Sequence, residues 1–130
     1  MGKFFEVMGN LLEQAKSIPH GIQSIREWLG AGGVAVDNAT AQERADICIK
    51  CDKNVHGNPI TTAAALAVRR HLEIKNKIGL RVNGEKSLGQ CDVCHCVLRL
   101  LIHEPQENVK SQMTADEISN TPKHCWKLKP

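Results

Sequence analysis

Apolar residues return every three or four positions near the start of the chain. Phe4, Met8, Leu11, Leu12 and Ala15 fall on one face of a helix over residues 3–17. Pro19 is expected to end it. A second short amphipathic piece over residues 20–29 places Ile22, Ile25 and Leu29 on one face, with Trp28 beside them. The run Gly30-Ala31-Gly32-Gly33 then breaks the period and reads as a flexible joint. The pattern divides the chain into a helical arm with a glycine hinge over residues 1–33 and a second unit over residues 34–130.

Beyond the joint, Thr40 and Glu43 have capping-box spacing, so a helix is predicted from about residue 41 into Cys48. Residues 52–59 are rich in turn formers and read as a loop. Residues 60–79 favour a helix with Ala65, Val68 and Leu72 on one stripe and Gly79 as its stop. Arg69, Arg70, Glu73 and Lys77 lie off that stripe, and Glu73 precedes Lys77 in the favourable order for an ion pair. Asn83-Gly84 is a hairpin signal. Residues 97–103, Val-Leu-Arg-Leu-Leu-Ile-His, read as a strand that could pair with Leu80-Arg81-Val82. Thr114 and Glu117 form a second capping box ahead of a short helix.

Composition changes this picture at one point. The aromatic residues are Phe4, Phe5, Trp28 and Trp126, with no Tyr, so the core lacks most of the largest apolar pieces. Small chains short of buried area often rely on a disulfide or a metal. Six cysteines could supply either. Glu6 and Asn10 interrupt any apolar signal region, Glu6 breaks the myristoylation pattern, and no run reaches the length of a membrane span. An intracellular, reducing setting is therefore expected, and there clustered cysteines serve metals more often than disulfides.

Cys48 and Cys51 form one C-x-x-C, Cys91 and Cys94 form another, Cys96 follows at once, and Cys125 comes last. Two such knuckles can close a four-thiolate tetrahedron, the usual form of structural zinc. The competing readings are six separate buried thiols, one redox-active C-x-x-C, or an iron–sulfur site. Six ligands allow one Zn²⁺ with two thiols spare, or two ions with bridging thiolates, and the formal charge of +3 falls to +1 in either case. His95 and His124 neighbour the ligands but are not needed as donors. Trp126 is expected to lie over the site as an apolar lid. The 39 residues between Cys51 and Cys91 exceed the roughly 15–20 of a compact zinc ribbon. They read as a helical insertion between the knuckles, and as an interaction surface. The predicted class is thus a small, mostly helical α+β protein with a zinc-ribbon-like core.

Enzymatic chemistry is not expected. A catalytic zinc keeps an open position, usually with His or carboxylate ligands, whereas six thiolates fill positions. The chain has no P-loop, no G-x-S-x-G and no dinucleotide fingerprint. Nucleic-acid binding is the competing function. Arg69, Arg70, Lys77 and Arg81 sit in a basic stretch over residues 69–86, and the C-terminal Lys-His-Cys-Trp-Lys-Leu-Lys adds three lysines. A self-neutralised, solvated face is the alternative for that stretch.

The runs Arg26–Asn54, Cys91–His103 and His124-Cys125-Trp126 resemble a group of small cysteine-rich, zinc-binding-like proteins encoded by tailed bacteriophages and prophages, of unknown function. The likeness spans roughly residues 28–126. It implies that Cys48, Cys51, Cys91, Cys94, Cys96 and Cys125 are the metal set. This chain departs from the pattern at Asp92 and His95, where glycines are expected, and at Trp126, where a proline is expected. A tight knuckle wants a left-handed residue, so His95 is either strained or a ligand. The resemblance implies a host-cytoplasmic protein, or one built into the virion. It would act as a structural or assembly adaptor. The apolar face of the arm, with Phe4, Met8, Leu11 and Leu12, reads either as packing on the Cys-rich unit or as docking a protein partner or a second copy. A small regulator of host protein or nucleic acid is the alternative.

Overall fold

The computed structural model describes residues 19–129. In chain order they form α1 (Pro19–Gly30), α2 (Asn38–Ile49), β1 (Asn54–Val55), α3 (Pro59–Asn76), a 3-10 turn (Glu85–Ser87), β2 (Gln90–Cys91), α4 (Leu98–Leu101), α5 (Gln106–Ser111), α6 (Ala115–Asn120) and a last 3-10 turn (Trp126–Leu128). The result is a small, mostly helical fold with one two-stranded antiparallel sheet. Among the described residues no helix is long and apolar enough to cross a membrane.

The longest predicted stripe makes the longest helix. Asn58 caps α3 by accepting from the amides of Ile60 and Thr61, and Pro59 occupies the first turn, where its missing N–H costs nothing. The helix stops at Lys77, whose φ of 55° is left-handed, two residues ahead of the expected Gly79. Ala64, Ala65, Val68 and Leu72 of α3 join Trp28, Leu80, Val97 and Leu100 in one core cluster. Trp28 is 1 % exposed and donates from Nε1 to the carbonyl of Val34 at 2.8 Å. Gly33 turns back on it, with its amide bonded to the Trp28 carbonyl at 2.9 Å and a left-handed φ of 67°. The stretch expected as a joint is thus a hydrogen-bonded turn, and residues 25–33 of the expected arm share the core of the rest. Phe4, Met8, Leu11 and Leu12 lie outside the described residues.

Three local expectations change. The cap of α2 is Asp37, which accepts from the Thr40 amide at 2.7 Å, so Thr40 is inside the helix rather than at its start. Residues 97–103 are not a strand: Val97 makes an isolated bridge to Gln90, and Leu98–Leu101 is a helical turn. Leu98, Leu100, Leu101, Ile102 and His103 are all buried, and a short run buried on every side carries no period that tells strand from helix. Asn83-Gly84 does not join two strands either; Gly84, at φ 80°, leads into the first 3-10 turn. The capping box at Thr114 and Glu117 forms as predicted, with both reciprocal bonds present.

A second core cluster holds Ala41, Ala45, Cys48, Leu88, Cys91, Cys94, Cys96, Leu98, Leu101, Ile102, Val109 and Trp126. Four of its members are thiols, so the sulfur atoms stand in for the aromatic residues that the sequence lacks.

Candidate metal centre

The short sheet explains how sequence-distant cysteines meet. Asn54, three residues past Cys51, pairs with Cys91 in the β1–β2 ladder. That register places the first C-x-x-C beside the second. Within the first, the Cys51 amide bonds to the Cys48 carbonyl at 3.1 Å, and the Lys53 amide donates to the Cys51 sulfur at 3.4 Å. Within the second, the His95 amide closes on the Cys91 carbonyl at 2.7 Å and the Cys91 amide on the Cys96 carbonyl at 2.9 Å. His95 takes the left-handed conformation such a closure needs, with φ 62°, and its side chain is exposed.

Cys125 arrives from the far end of the chain. Gln106 holds the last 3-10 turn in place by donating from Nε2 to the carbonyls of Trp126, Lys127 and Lys129 at 3.0–3.1 Å. Trp126 is 2 % exposed and its indole N–H donates to the Cys48 sulfur at 3.3 Å. The guanidinium of Arg44 lies 4.2 Å from the centre of the Trp126 ring, a cation–π contact. Arg44 is fixed there by bonds from Nη1 to the carbonyls of Ile102 and Glu104, at 3.0 and 2.6 Å. Trp126 therefore covers the thiols, and α2 supplies both Cys48 and the cation that holds the cover.

Cys48, Cys51, Cys91 and Cys125 line one small cavity of about 20 Å³, together with Trp126 and Lys127. That volume holds one atom-sized guest. Cys94 and Cys96 lie beside it in the same cluster. All six cysteines are free thiols. Among the described residues, no three His, Cys, Asp or Glu side chains converge in a geometry that would hold an ion as they stand. The donor types and the cavity suit a thiolate-bound metal, while the sulfurs would have to draw together around it.

Lys127 is the residue that sequence reasoning missed. It is 2 % exposed, and its ammonium lies 3.3 Å from both the Cys91 and the Cys94 sulfurs. Burial works against its charge, but attraction to Cys94, Cys91, Cys125 and Cys96 outweighs burial and raises its pKa. The thiol pKa values are raised as well, which for a thiol favours the neutral form. Burial lifts Cys48 to about 11 against the relief given by the Trp126 N–H, and burial also raises Cys125. The hydrogen bond with Cys94 raises Cys91, reinforced by burial. At Cys94 the bond to Cys91 pulls downward, but its bond to Cys96 and its burial carry it to about 12. One ammonium is thus too little positive charge to hold this many sulfurs as thiolates.

The only hint of this in the sequence is position: Lys127 follows the lid tryptophan and stands two residues past Cys125. Counted among the C-terminal lysines, it suggested a phosphate contact, whereas it is buried.

One cation of the basic stretch is spent inside the protein and a second is paired at its surface. Arg69 is 5 % exposed and paired with Glu85 at 2.8 Å. Arg81 is exposed and lies 3.6 Å from Glu73 and 3.7 Å from Glu85. Glu73 does not take the expected pair with Lys77, because the left-handed end of α3 leads the chain back and Glu73 accepts from the Leu80 amide at 3.0 Å instead. Arg70 and Lys77 remain on the surface. His95 and His124 are exposed, and neither lines the four-thiol cavity.

No known protein family, no curated protein and no solved structure matches this chain.

Proposed function

We propose that the chain is a non-enzymatic, zinc-stabilised protein that works through protein–protein contacts. The observation that carries the metal reading is Lys127. Among the described residues no carboxylate pairs with this buried ammonium; its near neighbours are the Cys91 and Cys94 sulfurs. A buried cation is tolerated beside anionic partners, and the anions available here are thiolates. A divalent ion is what converts a set of buried thiols into thiolates. Cys48, Cys51, Cys91 and Cys125 would hold it, with Cys94 and Cys96 as exchangeable donors or as bridges to a second ion. Trp126 and Lys127 would donate to sulfur from outside the coordination shell, as outer-shell partners commonly do. The ion would supply folding energy rather than chemistry.

Native mass spectrometry of the protein expressed with zinc tests this. One or two Zn²⁺ per chain, with melting lowered by a chelator, supports it. A metal-free chain that folds and melts identically with and without chelator overturns it.

The adaptor role rests on the resemblance to phage cysteine-rich proteins and on the helical spacing of the apolar residues at positions 4–15 of the sequence. Affinity capture from producing cells, with and without nuclease, separates it from the regulator. A nuclease-resistant protein partner lost on deleting residues 1–18 supports the adaptor. Recovery of nucleic acid alone overturns it. The pairing of Arg69 and Arg81 with Glu85 leaves the nucleic-acid reading fewer free cations than the sequence suggested.

A further inference from the structure

A second cavity, with no thiol in its lining, has a different chemistry. It is an open cleft of about 460 Å³ between the loop after β1, the first turn of α3, the Glu85–Ser87 turn and the start of α4. That size falls in the range of small-molecule sites. His56, Lys86 and Arg99 line it, and no Asp or Glu does.

The charge arrangement is held in place by backbone. Arg99 donates from Nε to the Glu85 carbonyl at 3.0 Å, which fixes its guanidinium at the cleft, and neither terminal nitrogen has a partner among the described residues. The neighbouring carboxylate of Glu85 is occupied by Arg69 and Arg81, so it does not neutralise Arg99. Lys86 is exposed at the rim, and Thr62 and Ser87 add hydroxyls. The first turn of α3 borders the same space through Pro59 and Thr62, so the positive end of an 18-residue helix dipole lies beside it. Val55, Leu88 and Val97 give the cleft an apolar wall. The walls are set by glycine: a Cβ on Gly89 would come within 2.0 Å of the Val55 carbonyl oxygen, and one on Gly57 within 3.0 Å of the Thr62 hydroxyl.

We infer that this cleft binds a small phosphate monoester, with Arg99 and Lys86 taking the phosphate and the apolar wall taking the body of the ligand. A planar, two-pronged guanidinium beside a point-charge ammonium suits a dianionic oxyanion better than a carboxylate. The inference concerns a cleft that no cysteine lines and does not rest on the metal reading.

The test uses the full-length ¹⁵N-labelled protein at constant ionic strength, titrated separately with inorganic phosphate, adenosine monophosphate and acetate. Saturable shifts of the Gly57, Thr62, Ser87 and Gly89 amides are expected with phosphate and, more tightly, with the nucleotide, but not with acetate. Arg99→Met is expected to weaken phosphate about tenfold. Lys86→Gln, at an exposed position that leaves the fold untouched, is expected to weaken it about threefold. Shifts that do not saturate, or variants that bind as the parent does, overturn the inference. So does a single-stranded oligonucleotide that binds this cleft more tightly than the nucleotide, which would assign it to nucleic acid.

Discussion

Replacing Lys127 by Met separates the metal-loaded protein from the metal-free one. The ammonium stands 3.3 Å from two sulfurs. At an effective dielectric of about 20, a full charge pair at that distance is worth about 5 kcal/mol. A thiolate that shares one Zn²⁺ four ways keeps about half a negative charge, so the contact with Cys91, the member of the four that Lys127 touches, comes to about 2.5 kcal/mol. Burying the ammonium costs several kcal/mol of lost hydration. That cost is carried with or without the metal and cancels in zinc affinity, so about 1–3 kcal/mol, about 10- to 100-fold, is expected, the usual scale for an outer-shell partner. Without metal the thiols are protonated and the ammonium has no full anion to face. There Lys127→Met replaces a buried charge by an apolar chain of similar length, with a neutral or stabilising outcome expected. The assay is competition against a chromophoric chelator at fixed pH, beside thermal melts of the chelated protein. Lys53→Met, at a half-buried lysine of the same cavity whose amide alone contacts sulfur, is expected to leave affinity within about twofold. Zinc affinity unchanged or raised in Lys127→Met would refute the reasoning, because the ammonium would then not be facing thiolates.

Three further outcomes follow from single positions. His103 is fully buried with both ring nitrogens unpartnered, and burial, followed by Arg69, lowers its pKa from 6.5 to about 4. Its neutral form is the folded one, so its contribution is whole above about pH 6.5 and is lost as pH falls through 4; the total is about 3 kcal/mol. Urea unfolding at neutral and acid pH is expected to show that slope, and His103→Leu to flatten it; an unaltered slope would count against it. Gly89→Ala puts a Cβ 2.0 Å from the Val55 oxygen and should cost about 3 kcal/mol or more while opening the β1–β2 pairing that aligns the two C-x-x-C knuckles. A variant that melts like the parent would remove the steric account. Thr114→Ala removes the hydroxyl that caps Glu117 and should lower unfolding free energy by about 1 kcal/mol, read by denaturant titration.

Features that depend on a few adjacent residues were legible in the chain. The helix over residues 59–76 was visible from alanine content and the Val68–Leu72 stripe, and the Thr114–Glu117 box from its spacing alone. The two C-x-x-C pairs were visible because their spacing is local. The tryptophan lid was legible because Trp126 adjoins Cys125, and Cys125 must reach the other thiols. Residues 97–103 were misread for a complementary reason. Their apolar run is buried on all sides, and only the elements around it decide between strand and helix. Thr40 lost its cap to Asp37 because both are good caps, and the choice depends on where the incoming chain points.

By itself the sequence determined where most helices lie, which cysteines stand close together along the chain, and how poor the core is in aromatic residues. These follow from local propensity and spacing. Tertiary structure alone decided the electrostatics. It buried Lys127 among thiols, spent Arg69 on Glu85, left His103 without a partner, and turned Arg99 toward an open cleft free of carboxylates. A charged side chain carries the same charge wherever it stands in the chain. What that charge does depends on burial and on partners far away in sequence, here 36 residues for Lys127 and Cys91.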